Sequence, residues 1–273
     1  MKPVRPNFER PPLQEQAISV VFQPLSGFRI VDYGLFWSEI ADAFPEVSTD
    51  NPIEAPIEQF EGFRPTAMSF QLVTAPPLPR AMFRNPASGE LVQLQHNRFT
   101  FNWAKVEGQE YPRSEPLMAR FEELFIAFED YARRNDLGDL RLTQCEITNL
   151  NVIPVADFGT KFAQLNRALD VADPDWKIDC LEPEIVERSI QQRIIDGTGA
   201  SVGRLHAVIA PVISNVDNSQ GIRYELTARS APNISTLEQA KNFFGLARNA
   251  INAAFMASVT DEMKAHWGEI DGH

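Results

Sequence analysis

Cysteine is scarce in this chain of 273 residues, and its two copies, Cys145 and Cys180, allow no disulfide framework. Its apolar runs are short, well below the roughly 20 residues that a membrane-spanning helix needs. Basic residues are also few, with 25 Lys and Arg against 37 Asp and Glu and a formal net charge of −12. This deficit opposes binding to a phosphate backbone, which draws its affinity from Lys and Arg. We therefore expect neither a nucleic-acid partner nor a membrane.

The N-terminal segment lacks the features of a secretory signal. Residues 1–12 are polar and rich in proline, and no apolar stretch follows a basic start. Together with the low cysteine content, this composition predicts a cytoplasmic protein in a reducing environment.

Signatures of catalysis and of metal or cofactor binding are also missing. None of the four histidines lies four residues from another or beside a cysteine pair. The glycine-rich run Gly197–Gly203 has the spacing GxGxxxG without a following Lys-Ser or Lys-Thr, so we interpret it as a turn between strands. Cys145 alternates with Ile147 in a strand-like run, which is typical of a buried thiol. We expect no catalytic residue, no metal site and no cofactor.

One short pattern occurs twice. Val31-Asp32-Tyr33-Gly34 opens an amphipathic stretch, and Ala156-Asp157-Phe158-Gly159 opens another one 125 residues later. A strand-like run precedes each, at Ala17–Leu25 and at Leu142–Val152. Because a repeat constrains the architecture before any other motif does, it favours an internal duplication.

The elements of the first half follow from spacing and turn residues. Helical spacing begins at Asp32, a good N-cap, and stops at Pro45. Residues 46–66 indicate a connection and residues 67–75 a strand. Three further strands follow at Arg80–Arg84, Glu90–Gln95 and Arg98–Lys105. A helix with one apolar stripe, Ser114–Asn135, completes this half.

Apart from the strand at 67–75, the second half is predicted to follow the same order. A helix over Asp157–Asp170 is followed by three strands and by one long helix, which starts near Ser235 and runs to about Trp267. The three strands are Glu184–Ile195, Val202–Ser214 and Gly221–Ala231.

These elements predict an α+β fold made of two tandem β-α-β-β-β-α units. The two units are related by a pseudo-two-fold axis. Their strands form either one or two antiparallel sheets, which the long helices cover. We expect an extended N-terminal arm over residues 1–16, a first unit over 17–140 and a second over 141–273, all within one compact body.

The order of several short motifs resembles that of a known family. The segment Pro11-Pro12-Leu13-x-Glu15 leads into the first strand, and Phe101-Asn102-Trp103 and Tyr111-Pro112 follow. Asn149 and a final helix with Phe255, Thr260 and Trp267 complete the set. Over nearly the whole chain these motifs resemble a family of bacterial proteins of sporadic distribution.

The resemblance implies little chemistry. The family has no assigned activity, so no catalytic residues carry over, and its scattered occurrence implies a mobile or defence-associated gene context. Its members frequently have a histidine seven residues before the helix phenylalanine, where this chain has Arg248.

We select six residues as candidates for contact with a ligand or partner: Glu15, Gln95, Asn102, Trp103, Asn149 and Arg248. Glu15, at the entry to the first strand, either pairs with an arginine such as Arg98 or Arg223 or contacts a ligand. The amides within the sheet either satisfy neighbouring backbone groups or line a polar pocket.

Three functions remain open at this point. The absence of reactive motifs favours a non-catalytic binding or interaction protein whose partner is another protein. The Phe-rich and Ala-rich interior favours a small-molecule sensor or carrier with a cavity under the long helices. An unrecognised enzyme that uses dispersed carboxylates is the third, and it would require Glu15, Glu182, Glu184 or His206 to meet in one cleft.

Overall fold

A computed structural model describes residues 6–54, 57–60, 77–170, 180 and 184–270. Within these residues, nine strands form one antiparallel sheet. The strands are β1 (Leu13–Phe22), β2 (Glu46–Asp50), β3 (Arg80–Asn85), β4 (Glu90–Gln95), β5 (Arg98–Ala104), β6 (Leu142–Pro154), β7 (Arg188–Ile195), β8 (Ser201–Ile213) and β9 (Gln220–Ser230). The helices are α1 (Ile30–Ile40), α2 (Ser114–Arg134), α3 (Val155–Phe158), α4 (Leu237–Ser258) and α5 (Asp261–Trp267), with a 3-10 turn at Phe162–Arg167.

The strand order is β2-β3-β4-β5-β1-β6-β9-β8-β7. The first strands of the two halves, β1 and β6, are therefore neighbours at the centre, where Ile18 lies opposite Ile147. Among the strands that the structure describes, β2 and β7 lie at the two ends of the sheet.

Alternation along the strands gives the sheet one apolar and one polar face. In β5, Phe99 points to the helices and contacts the rings of Phe121, Phe125 and Phe128 on α2 at centroid distances of 6.1, 5.6 and 5.6 Å. Thr100, the next residue, faces the opposite side and bonds to Ser19 at 2.7 Å. The apolar face packs against α1, α2 and α4, and the hydrophobic core lies between this face and the three helices. Burial of apolar surface drives this packing.

The predicted fold class, two equivalent helix-covered units, is wrong. A single nine-stranded antiparallel sheet dominates instead of two helix-covered units. Where the first half has the 11-residue helix α1, the second has the four-residue α3 and a 3-10 turn in place of the predicted helix Asp157–Asp170.

Tertiary contacts explain this difference between similar sequences. Asp32 is buried at the third position of α1, not at its N-cap, and its carboxylate accepts from the Arg29 amide at 2.7 Å and from the Tyr131 hydroxyl at 2.9 Å. Asp157, its counterpart, is part-exposed and lies 3.6 Å from the ring nitrogen of His266. The shared Asp-aromatic-Gly pattern thus starts two different structures.

Other boundaries also differ from the predictions. The single helix from Ser235 to Trp267 is divided, because Val259 forms a bridge with Leu169 and α5 begins after Thr260. Strand β2 lies inside the predicted connection 46–66, and β1 begins within the predicted arm. The strand predicted at 67–75 lies outside the described residues, and the division at residue 140 stays a prediction.

The N-terminal segment before β1 packs on the end of the last helix. The Glu9 amide donates to the Gly268 carbonyl and the Arg10 amide to that of Trp267, each at 3.0 Å. The Phe8 ring meets Trp267 edge-on at a centroid distance of 5.8 Å. These contacts hold the segment as a wall beside α4. Across the helices of the described residues, none is both long and apolar enough to span a membrane.

Candidate ligand-binding cavity

A cavity of about 760 Å³ lies between the sheet, α4, the start of α2 and the N-terminal segment. Its volume falls within the range of about 300 to 1,000 Å³ that is usual for small-molecule sites. Residues 6–13 form one wall, and the loop between β5 and α2 contributes Lys105, Tyr111 and Arg113.

Trp103, Asn149 and Leu226 form the floor of the cavity, and with the buried Gln16 they belong to one row of residues across four strands. Gln16 of β1 lies opposite Trp103 of β5 on one side and opposite Asn149 of β6 on the other. Asn149 in turn lies opposite Leu226 of β9. The sheet register therefore brings together residues that are far apart in the sequence.

The buried Gln16 connects polar groups that line the cavity. Gln16 donates from Nε2 to Asn149 Oδ1 at 2.8 Å, and the Tyr111 hydroxyl lies 3.4 Å from Gln16 Oε1 and 2.9 Å from Ser114 Oγ. The Tyr111 ring lies 5.2 Å from that of Trp103. Burial raises the pKa of Tyr111, so its hydroxyl is protonated at neutral pH and serves as a hydrogen-bond donor.

The helices supply the opposite wall. Ile251 and Phe255 of α4 present apolar surface to the cavity. Arg248 of α4 donates from Nη1 to Glu115 of α2 at 2.7 Å, and this ion pair links the two helices at the edge of the cavity.

The six candidate residues divide between the cavity and the polar face of the sheet. Trp103, Asn149 and Arg248 line the cavity. The other three, which are Glu15, Gln95 and Asn102, lie on the polar face.

On the polar face these side chains bond to neighbouring groups. Asn102 donates to Glu15 and accepts from Gln93 at 2.7 Å. Gln95 accepts from the Ile53 amide at 2.8 Å and donates to its carbonyl at 3.0 Å. Gln95 and Asn102 also line a second, smaller pocket of about 170 Å³ on this face, so their contact with a ligand or partner stays a prediction.

The arginine partners that we considered for Glu15 are wrong. Arg98 pairs with Glu146, and Arg223 lies 3.9 Å from Glu225. The Glu15 carboxylate accepts from Asn102 instead.

The polar face also carries a network of charged side chains that the sequence did not predict. Glu58, which is 4% exposed at its side chain, contacts Arg204, His206 at 2.5 Å and Arg229 at 3.0 Å. Arg229 also donates to Glu146 at 2.7 Å. Residues 57–60 are thereby held against β8 and β9, although this segment has no local pattern that predicts a buried carboxylate.

The pKa values of this network reflect opposing effects. Burial raises the pKa of Glu58, but hydrogen bonds and charges from His206 and Arg229 outweigh burial, and the pKa is lowered overall. Burial, with the nearby charges of Arg229 and Arg80, lowers the pKa of Arg98 to about 10.

The carboxylates considered for catalysis do not meet in the described part of the chain. Glu15 lies on β1 and His206 on β8, and two strands, β6 and β9, lie between β1 and β8. Glu184 is exposed, and Glu182 lies outside the described residues. Among the described side chains, no group of three or more His, Cys, Asp and Glu is placed to hold a metal ion. Burial raises the pKa of Cys145 to about 12, which keeps it a thiol.

Comparisons with protein-family models, with curated proteins and with solved structures each return no match. The resemblance drawn from the sequence stays a prediction, and the function has to be argued from the cavity itself.

Proposed function

We propose that this protein is a non-catalytic binding protein that holds a small organic ligand in the cavity between α4, the start of α2 and the sheet. The observation that supports this most is the combination of a volume of about 760 Å³ with a lining of aromatic, amide and charged side chains. Ligand sites usually combine apolar walls with a few well-placed polar groups.

The floor suits recognition. Asn149 and Tyr111, which line the cavity, are both joined by hydrogen bonds to the buried Gln16, so their orientation is set before a ligand enters. Preorganised groups lose less conformational freedom on binding, which favours affinity. Amides and a protonated phenol orient a ligand through hydrogen bonds and do not change charge near neutral pH.

The experiment compares the same substitution at two positions of α4. Asn252 lines the cavity, whereas Asn242 is exposed and lies outside its lining. Asn252→Phe places a ring in the cavity, and Asn242→Phe places one on the outer surface. The probe is the neutral dye N-phenylnaphthylamine, whose fluorescence rises in apolar surroundings.

We expect the wild type and Asn242→Phe to bind the dye with equal affinity. Asn252→Phe should weaken binding about tenfold, which corresponds to ~1.4 kcal/mol. Circular dichroism of both variants checks that they are folded. Equal affinity of the two variants would overturn the proposal. The earlier expectations of a protein partner and of a mobile or defence-associated gene context stay predictions.

A further inference from the structure

The charge of the cavity lining is opposite in sign to that of the whole chain. Four cationic side chains line the cavity, those of Arg10, Lys105, Arg113 and Arg248, against three carboxylates, those of Glu9, Glu110 and Glu115. The complete chain carries a net charge of −12. A local excess of cations on an acidic protein attracts an anion to this place rather than to the rest of the surface.

Two of these cations are free to contact a ligand. Arg248 pairs with Glu115, and Arg10 donates to the carbonyl of His266. Within the described part of the chain, Lys105 and Arg113 form no ion pair. Lys105 follows β5 two residues after Trp103, and Arg113 immediately precedes α2.

The backbone of Arg113 is strained. Its φ of 71° and ψ of 161° lie in a region that is almost restricted to glycine. Such strain costs about 1 to 3 kcal/mol, and glycine would avoid most of it. The strained backbone and the position in the cavity wall together single out Arg113 as a candidate for contact with a ligand.

The remaining lining suits the body of an organic molecule. Trp103 and Tyr111 are in ring contact, and Ile251 and Phe255 add apolar surface from α4. A ligand that matches both parts has an apolar, preferably aromatic, body and one anionic group.

We infer that the cavity selects an organic anion, in which a carboxylate, sulfonate or phosphate contacts Arg113 and Lys105 while an apolar body contacts Trp103, Tyr111 and α4. This inference rests on the proposed function, because it specifies the ligand of the same cavity. Guanidinium and ammonium groups form charge-assisted hydrogen bonds with all three kinds of anion.

The test uses a pair of dyes that differ in one sulfonate. Anilinonaphthalene sulfonate carries the anionic group, and N-phenylnaphthylamine lacks it. Both are titrated into the full chain and into Arg113→Gln. Arg84→Gln is the control, because Arg84 is an exposed arginine on β3 outside the cavity lining and the substitution changes the charge equally.

We expect the wild type and Arg84→Gln to bind the sulfonate dye about tenfold more tightly than the neutral dye. Arg113→Gln should remove most of this preference while the affinity for the neutral dye stays the same. Added salt should weaken binding of the sulfonate dye more than that of the neutral dye.

A further variant distinguishes ligand contact from a structural role of Arg113. Arg113→Gly relieves the backbone strain, so we expect a higher midpoint temperature of unfolding together with weaker binding of the sulfonate dye. A variant that keeps the preference for the sulfonate dye would contradict the inference.

The two proposals fail in different ways. If both dyes bind with equal affinity and Arg113→Gln changes neither, the anion preference is overturned while a ligand cavity remains. If neither dye binds, or if Asn252→Phe binds both as well as the wild type does, the proposed function itself is wrong.

Discussion

Glu58 connects several strands through one carboxylate. It contacts Arg204 and His206 of β8 and Arg229 of β9, and Arg229 extends the network to Glu146 of β6. Removal of one partner from such a network leaves the charges of the other partners without compensation. The free energy lost in this way is larger than the net contribution of the intact ion pair. We therefore expect this single carboxylate to contribute strongly to the stability of the polar face.

We expect Glu58→Gln to lower the free energy of unfolding at pH 7 by about 3 kcal/mol. Because the pKa of Glu58 is lowered in the folded protein, its contribution is fully present above the unfolded pKa of about 4.3 and is lost as the pH falls through the lower folded value. The difference between variant and wild type should thus shrink below about pH 4.

Urea denaturation at neutral and acidic pH measures this difference. Glu54→Gln is the control, since Glu54 is exposed in the same segment. A loss of stability in Glu58→Gln that is equally large at both pH values would show that the charge of Glu58 is not responsible.

Helix ends are decided by few residues. The apolar stripe of the last helix predicted one element from Ser235 to Trp267, but Val259 has extended backbone and bridges to Leu169. Thr260 then caps α5, because its hydroxyl accepts from the Met263 amide at 3.3 Å and donates to the Arg167 carbonyl at 2.7 Å. Periodicity continues across such a break, so it does not reveal where one helix ends and the next begins.

Thr260→Ala should lower the free energy of unfolding by about 1 kcal/mol, since it removes the cap. Thr260→Ser keeps a hydroxyl at the same place and should preserve most of the stability. Thermal unfolding of both variants gives the comparison. If alanine were tolerated as well as serine, the cap would not be what holds the start of α5.

Stability across the whole molecule follows from the order of the strands. β1 and β6 lie at the centre and have neighbours on both sides, whereas β2 and β7 form the ends of the sheet. The side chains of β2 are all exposed, and those of β7 are mostly so. Opening an end strand disrupts fewer contacts than opening the centre.

We expect the amides of β1 and β6 to exchange with deuterium at least about 100-fold more slowly than those of β2 and β7. Hydrogen exchange of the full chain, read by mass spectrometry of peptides, measures this. A centre that exchanged as fast as the ends would mean that the two halves separate readily, and the sheet would then not be a single cooperative unit.

Local patterns were enough for many individual elements. Alternation of Phe99, Phe101 and Trp103 with polar residues predicted β5, and the apolar stripe of Ser114–Asn135 predicted α2 within one residue at its end. These predictions hold because side-chain period and helix spacing depend on neighbours in the chain. The same approach wrongly predicted a helix over Asp157–Asp170, since short amphipathic segments resemble one another whatever they pack against.

Residue spacing along the chain thus determined many of the strands and helices and which side of each is apolar, although not β2 or the short helices after β6. The cavity and the charge network depend on something else. Gln16 contacts Asn149 because the register of β1 and β6 places them side by side. Glu58 can contact Arg204 and Arg229 together because the register of β8 and β9 places those two arginines opposite each other. Strand register is a long-range property, set by the pairing of distant segments, so no local pattern in the chain encodes it.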